Sequence, residues 1–159
     1  IEIDMDNYLG VIETPTTPDG FLVENTNPYL EQPDGTYLLP ERYAPTYIPS
    51  DYAVETHQSD GEEYYCYRKD DYFLFWGGSY ITFSQRYPRG TQIFYLEDET
   101  LEEIEVEGLG KCLYIKIKNQ ENRAGLMWMK GPYIFRVFVD NLPKEELIKI
   151  AQSTKLQQN

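Results

Sequence analysis

The stretch LMWMKGPYIFRVFVDNLPKEELIKIAQS, Leu126–Ser153, decides the fold. Apolar residues crowd Leu126 to Met129 and again Tyr133 to Val139, and Gly131-Pro132 between them supplies a turn, so two strands fold back on each other. Beyond them Leu147, Ile150 and Ala151 recur at helical spacing, with Ile148 flanking. Pro143 suits a first helical turn, where its missing N–H costs nothing, and Glu145-Glu146 place negative charge at the positive end of the helix dipole. Lys149 and Lys155 fall in the later half. The spacing predicts a helix from about Pro143 to Lys155 whose Leu147, Ile150, Ala151 face closes a sheet.

Working back toward the start of the chain, strand patterns recur at short intervals: Ala53–Gln58, Glu63–Arg68, Tyr72–Trp76, Tyr80–Tyr87, Gln92–Leu96, Glu103–Glu107 and Cys112–Lys118. Asp60-Gly61, Gly77-Gly78 and Gly108-Leu109-Gly110 lie between them as turn chemistry. Connections this short join antiparallel neighbours. The expected class is therefore α+β, a meandering antiparallel β-sheet with a C-terminal amphipathic helix packed on it. In Cys112–Lys118, Leu113, Ile115 and Ile117 share one face while Tyr114, Lys116 and Lys118 share the other, as in a half-buried strand. A two-residue loop at Gly77-Gly78 sets Phe75 opposite Tyr80 and Leu74 opposite Ile81. One face then holds Tyr72, Leu74, Ile81 and Phe83. The other holds Phe73, Phe75 and Tyr80, either covered by another layer or standing as an exposed aromatic patch.

Residues 1–38 read as an extended arm, with Pro15, Pro18, Pro28 and Pro33 among Thr, Asp, Asn and Gly. Residues 39–155 form one domain and 156–159 a short tail. Pro45 and Pro49 keep Leu39–Tyr52 extended as it leads into the first strand.

The chain has 159 residues, 41% of them apolar, enough for one domain with its own core. Lys and Arg number 14 against 27 Asp and Glu, a formal net charge of -13. Such a chain repels phosphate backbones and anionic lipid, which argues against nucleic acid and direct membrane-surface binding and favours solubility, or a basic or cationic partner. The 15 Tyr, 7 Phe and 2 Trp fit an aromatic β-core and also a binding surface. No apolar run reaches the length of about 20 residues needed to span a bilayer. The chain begins at Ile1, as expected of one whose targeting segment has been removed.

Few residues suggest chemistry. His57 is the single histidine, so a His-based metal cluster is excluded and any triad must use it. Cys66 and Cys112 lack Cys-x-x-Cys spacing, which gives no support to zinc or thioredoxin-type redox sites. They are read as reduced thiols, with a bridge between them as the alternative. The acidic run Glu97–Glu103 lacks the Gly and alternating oxygen ligands of a calcium loop. Gly77-Gly78 joins strands and so is no phosphate cradle. The adjacent pairs Glu62-Glu63, Asp70-Asp71 and Glu102-Glu103 point to opposite faces of a strand and cannot share a substrate. The expectation is a noncatalytic domain with no cofactor and no metal.

Three segments carry a family resemblance: Tyr47-Ile48-Pro49-Ser50-Asp51-Tyr52, Ile81-Thr82-Phe83-Ser84-Gln85, and Leu126-Met127-Trp128 continuing through Glu145–Ser153. Together they resemble the domain of unknown function numbered four-three-six-seven, over roughly Leu39 to Lys155. Two features depart from the pattern: Pro143 stands where a Ser-like cap is expected, and neither cysteine belongs to a motif. The family occurs in Gram-positive bacteria, typically as the extracytoplasmic part of single-pass membrane proteins, and is similar to the outward-facing domains of membrane-anchored anti-sigma regulators. It brings no catalytic residues. The resemblance implies a noncatalytic sensor or interaction module at the cell surface, tethered to the membrane through a segment outside these residues and meeting an envelope protein or peptide, or another cell-surface ligand. The alternative is a carbohydrate- or small-ligand-binding domain. In either case the candidate contact residues are Phe73, Phe75 and Tyr80, with Trp128.

Overall fold

Seven strands pair into one antiparallel sheet, and the quoted stretch supplies its centre. The computed structural model describes residues 2–3, 30–31, 33, 35, 37–70, 78–87, 92–93, 99–117 and 120–157. In chain order the elements are β1 (Glu2–Ile3), β2 (Leu30–Glu31), β3 (Tyr37–Leu38), β4 (Tyr43–Pro45), β5 (Ala53–Ser59), β6 (Glu63–Lys69), β7 (Ser79–Arg86), β8 (Gln92–Ile93), β9 (Glu99–Val106), β10 (Gly110–Ile117), β11 (Gln120–Lys130), β12 (Tyr133–Asp140), α1 (Lys144–Gln152) and β13 (Thr154–Leu156). The large sheet runs β5-β6-β7-β12-β11-β10-β9. It is two meanders joined edge to edge, with Val137 opposite Phe83 and Val139 opposite Ile81 across the seam. Two-strand ladders join β1 to β8, β2 to β3, and β13 to β4. The expected α+β class, an antiparallel sheet with the C-terminal helix packed on it, is the observed fold.

The turns behave as their residues require. Gly61, Gly108, Gly110 and Gly131 have positive φ, which glycine adopts without a Cβ penalty. Asn141 does so too, at φ 58, where the chain turns from β12 toward the helix; its backbone N–H donates to the Asn122 carbonyl at 2.7 Å.

Alternation sorts the side chains onto two faces. On the helix side, Ile81, Phe83, Leu126, Trp128, Phe135, Val137 and Val139 pack with Leu147, Ile150 and Ala151 of α1 in one buried cluster. Trp128 stacks on Phe135 at 5.4 Å between centroids and 10° between planes. The opposite face buries a smaller cluster of Leu113, Ile115, Met127 and Ile134. This corrects the half-buried reading of Cys112–Lys118. Cys112 and Tyr114 belong to the helix-side cluster while Leu113 and Ile115 belong to the other, so β10 lies near enough to the centre to be covered on both faces.

Ile81 lies opposite Tyr67 on one side and Val139 on the other, and Tyr80 opposite Arg68. Leu74 and Phe75, which the expected two-residue loop sets opposite them, fall with the suggested strand Tyr72–Trp76 outside the described residues. One further expectation changes. The helix ends at Gln152, earlier than expected, because Ser153 caps it and Lys155 lies opposite Ala44 in a strand ladder.

A clasp fastens the helix to the sheet. The Ser153 hydroxyl donates to the Ile150 carbonyl at 2.6 Å and accepts the backbone N–H groups of Thr46 and Tyr47 at 3.2 and 3.0 Å. The Thr46 hydroxyl donates to the Ser153 carbonyl at 2.6 Å. Tyr47 donates from its hydroxyl to Glu146 Oε2 at 2.8 Å, and Lys149 Nζ lies 4.2 Å from its ring centroid. Beneath the strap, residues 41–47, which carries Thr46 and Tyr47, Gln85 is 0% exposed. Its Oε1 accepts the Tyr43 N–H at 2.9 Å and its Nε2 donates to the Glu41 carbonyl at 2.8 Å, so both polar ends of a buried amide are satisfied.

Candidate functional site

The single histidine is the first place to look for chemistry. His57 is on β5, opposite Tyr65 of β6, and its ring stacks on the Tyr65 ring at 4.0 Å and 9°. Its Nε2 lies 3.3 Å from Glu63 Oε2 and 3.2 Å from Ser59 Oγ, and Ser59 donates a short hydrogen bond to the same Glu63 oxygen. Arg42 Nε stands 3.9 Å from the other oxygen. Serine, histidine and carboxylate are thus gathered, but serine and carboxylate meet the same ring nitrogen. A nucleophilic triad needs them on opposite nitrogens, so that the carboxylate orients the ring while the second nitrogen takes the hydroxyl proton. Here Glu63, 2% exposed, is instead held by Ser59, His57 and Arg42, an arrangement that keeps a buried carboxylate hydrogen-bonded and paired.

The sequence-selected contact residues do not come together. Trp128 is 1% exposed in the helix-side core, whereas Tyr80 lies on the opposite face, as the pairing Ile81 to Val139 requires. One surface cannot contain both, and Trp128 is a packing residue. Phe73 and Phe75 lie outside the described residues. Around Tyr80 the structure collects other groups. Its backbone N–H donates to Asp140 Oδ2 at 3.1 Å, and Arg68 Cζ lies 5.9 Å from its ring centroid. Arg68 also reaches Glu55 Oε1 and Asp70 Oδ1, each at 3.5 Å. Arg123 Nη1 is 3.5 Å from the other Asp140 oxygen, and its Cζ is 5.6 Å from the Phe138 ring centroid. Tyr64, Thr82, Ser84 and Phe138 share this face, all half-buried. The result is a half-buried group of rings and guanidinium side chains on the face opposite the helix, beside the smaller buried cluster.

Sequence reading missed the arginines because Arg68 and Arg123 are 55 positions apart and meet one face only through the β7–β12 seam. Alternation gave the signal within each strand: Arg68 shares parity with Tyr64 and Cys66.

The cysteines are free. Cys112 belongs to the helix-side cluster, while Cys66 faces the other way, opposite Thr82. Three strands separate β6 from β10, a span of roughly 19 Å at about 4.8 Å per strand, far beyond disulfide reach. Burial pushes the Cys66 thiol up, with the Glu55 carboxylate adding to it, and burial pushes Cys112 up to about 12 with help from Glu105. Buried and raised in this way, with Arg123 only partly offsetting the rise at Cys66, neither is the exposed, low-pKa thiolate of a reactive cysteine. Among the described residues no three His, Cys, Asp or Glu side chains gather as a metal site would require, and no helix is long and apolar enough to cross a membrane.

These features define an α+β domain built on a seven-stranded antiparallel sheet, one face clasped by a helix and the other carrying rings and arginines. The sequence pattern described as Domain of unknown function (DUF4367) matches residues 42–153, and the chain belongs to that family. The matched span starts at the strap and ends at Ser153, so it includes both halves of the clasp. No curated protein and no solved structure matches the chain.

Proposed function

We propose that the domain is a noncatalytic extracytoplasmic sensor or interaction module of a membrane-anchored bacterial protein, meeting an envelope protein or peptide through the face around Tyr80. The observation that carries this reading is a division between the two faces. Gln85, Trp128, Tyr47 and Ser153, all within the family's motif segments, fasten the helix side. Tyr64, Arg68, Tyr80 and Arg123 stay half-buried on the other. Tyrosine and arginine are the side chains that most often anchor protein contacts. The geometry at His57 supports a noncatalytic role, and the family's usual setting supports the extracytoplasmic one. A second reading, a carbohydrate or small ligand, is favoured by the rings of Tyr64, Tyr80 and Phe138 standing beside the hydrogen-bonding groups of Arg68, Arg123, Thr82 and Ser84.

A photo-crosslinking residue in place of Tyr80, in the protein's native cells, tests the contact. A discrete protein adduct is expected. Absence of any adduct, together with chemical-shift changes at Tyr80 on adding a saccharide, would replace the first reading by the second. Val54 is 56% exposed, so a Val54→Cys variant in intact cells tests location. Labelling by a membrane-impermeant maleimide is expected, and labelling only after lysis would refute an extracytoplasmic site.

A further inference from the structure

We infer that the outer edge of β9 accepts an extended, lysine- or arginine-bearing segment of a partner protein as an added strand. β9 is the last strand of the sheet, and all eight of its residues pair with β10 in unbroken register from Gly110 opposite Val106 to Ile117 opposite Glu99. Among the described residues nothing pairs with its other side. Such an edge is a row of backbone donors and acceptors, and proteins usually blunt it with a bulge, a proline or a lysine. The opposite edge, β5, is blunted in this way: its register shifts between Val54 and Thr56. β9, ETLEEIEV, has no bulge, proline or lysine.

What β9 has is negative charge. Glu102, Glu103 and Glu105 are exposed, and the cations beside them are Lys111, 3.2 Å from Glu103, and Lys144, 4.0 Å from Glu102. That charge selects the occupant. A second β9 would set glutamates against glutamates, which cross-strand pairing penalises. Residues 1–41 of this chain contain no Lys or Arg, so the same repulsion disfavours them. A cationic strand is the complement. The pleat specifies it further: Leu101, Glu103 and Glu105 lie on the face away from the helix, and Glu102 and Ile104 on the helix side. Leu101 and Ile104 are half-buried and offer one apolar contact on each face. The occupant therefore presents cations at alternate positions toward Glu103 and Glu105, and an aliphatic residue beside a cation toward Ile104 and Glu102. Backbone hydrogen bonds supply the attraction common to all strand addition, and the side chains supply the choice. This deepens the interaction-module reading at a site separate from Tyr80, so failure here leaves the Tyr80 contact standing.

The test uses three synthetic peptides: an alternating lysine–threonine decamer, the same peptide N-methylated at alternate backbone amides, and the same sequence with glutamate for lysine. Binding to the full chain is read by fluorescence anisotropy and by backbone amide shifts. The lysine peptide should bind with shifts along β9 and weaken as salt rises. A Glu103→Lys/Glu105→Lys variant, shown to be folded by circular dichroism, should weaken it by on the order of tenfold. The methylated and glutamate peptides should fail to bind. Equal binding of the methylated peptide, shifts confined to other strands, or no binding of the lysine peptide at low salt would each overturn the inference.

Discussion

Replacing Gln85 by methionine isolates the strap that holds the helix to the sheet. The side chains are close in volume, so the change leaves almost no cavity and removes two hydrogen bonds, one accepted from Tyr43 and one donated to Glu41. A neutral hydrogen bond contributes about 1 kcal/mol net, and a partner left unsatisfied raises the cost to about 1–3 kcal/mol. Gln85 is fully buried and Tyr43 half-buried, which puts the total at about 2–4 kcal/mol. For a chain of this length, at about 3 °C per kcal/mol, Tm should fall by about 6–12 °C. Gln85→Glu should cost at least as much, because it sets an acceptor against the Glu41 carbonyl and lies opposite the buried Glu63. The assay is thermal unfolding combined with hydrogen exchange, in which the Tyr43 amide should lose protection before the β11–β12 amides do. A Gln85→Met protein that melts within about 2 °C of the parent, with Tyr43 still protected, would refute the strap.

Four other outcomes are expected. A Cβ at Gly125 would clash with the Phe138 ring, so Gly125→Ala should cost about 1–3 kcal/mol in urea unfolding; if the cost is no smaller in a Phe138→Ala background, that clash is not its cause. Trp128→Ala should destabilise by about 3–5 kcal/mol, and an unchanged urea midpoint would remove Trp128 from the core. Burial pushes the Tyr67 hydroxyl up to about 12, above its usual value of about 10. The stability this group confers is full below pH 10 and is lost as pH rises through 12, so a urea midpoint that stays flat to pH 12 would contradict it. Cys66 and Cys112, both buried with raised thiol pKa, should react with a disulfide reagent at pH 8 only after denaturation, and two fast native thiols would contradict that.

Local features carried much of the fold into the sequence. The Gly131-Pro132 turn and the spacing of Leu147, Ile150 and Ala151 made β11, β12 and α1 legible because each depends on neighbours within a few residues. The β7–β12 seam was not legible. Ile81 and Val139 are 58 positions apart with no turn between them to set register, and period-two alternation names a face but not a partner. Tyr80 and Trp128 were therefore grouped although they lie on opposite faces. Their relation passes through two registers, and a slip of one residue in either reverses it. The helix end was missed for a different reason: Lys155 suits a last turn by charge, but the Thr154–Leu156 backbone finds better partners in β4. At the candidate site Tyr80 was legible as a strand aromatic, whereas Arg68 and Arg123 gained meaning only from the completed sheet.

Leu156 lies opposite Tyr43, and the Gln157 N–H donates to the Arg42 carbonyl at 2.7 Å, so the backbone comes in and goes out side by side. A force drawing residues 42 and 157 apart would load this ladder as a zip, one rung after another, with each rung resisting alone. Peeling would proceed from Tyr43 toward Pro45 and meet its first shared resistance at Thr46 and Ser153, where hydroxyl and backbone bonds stretch together. Only past that point would the helix be tugged from the sheet. Pulled at this corner, the domain yields softly first and stiffly second, with the Thr46–Ser153 contact as its mechanical stop.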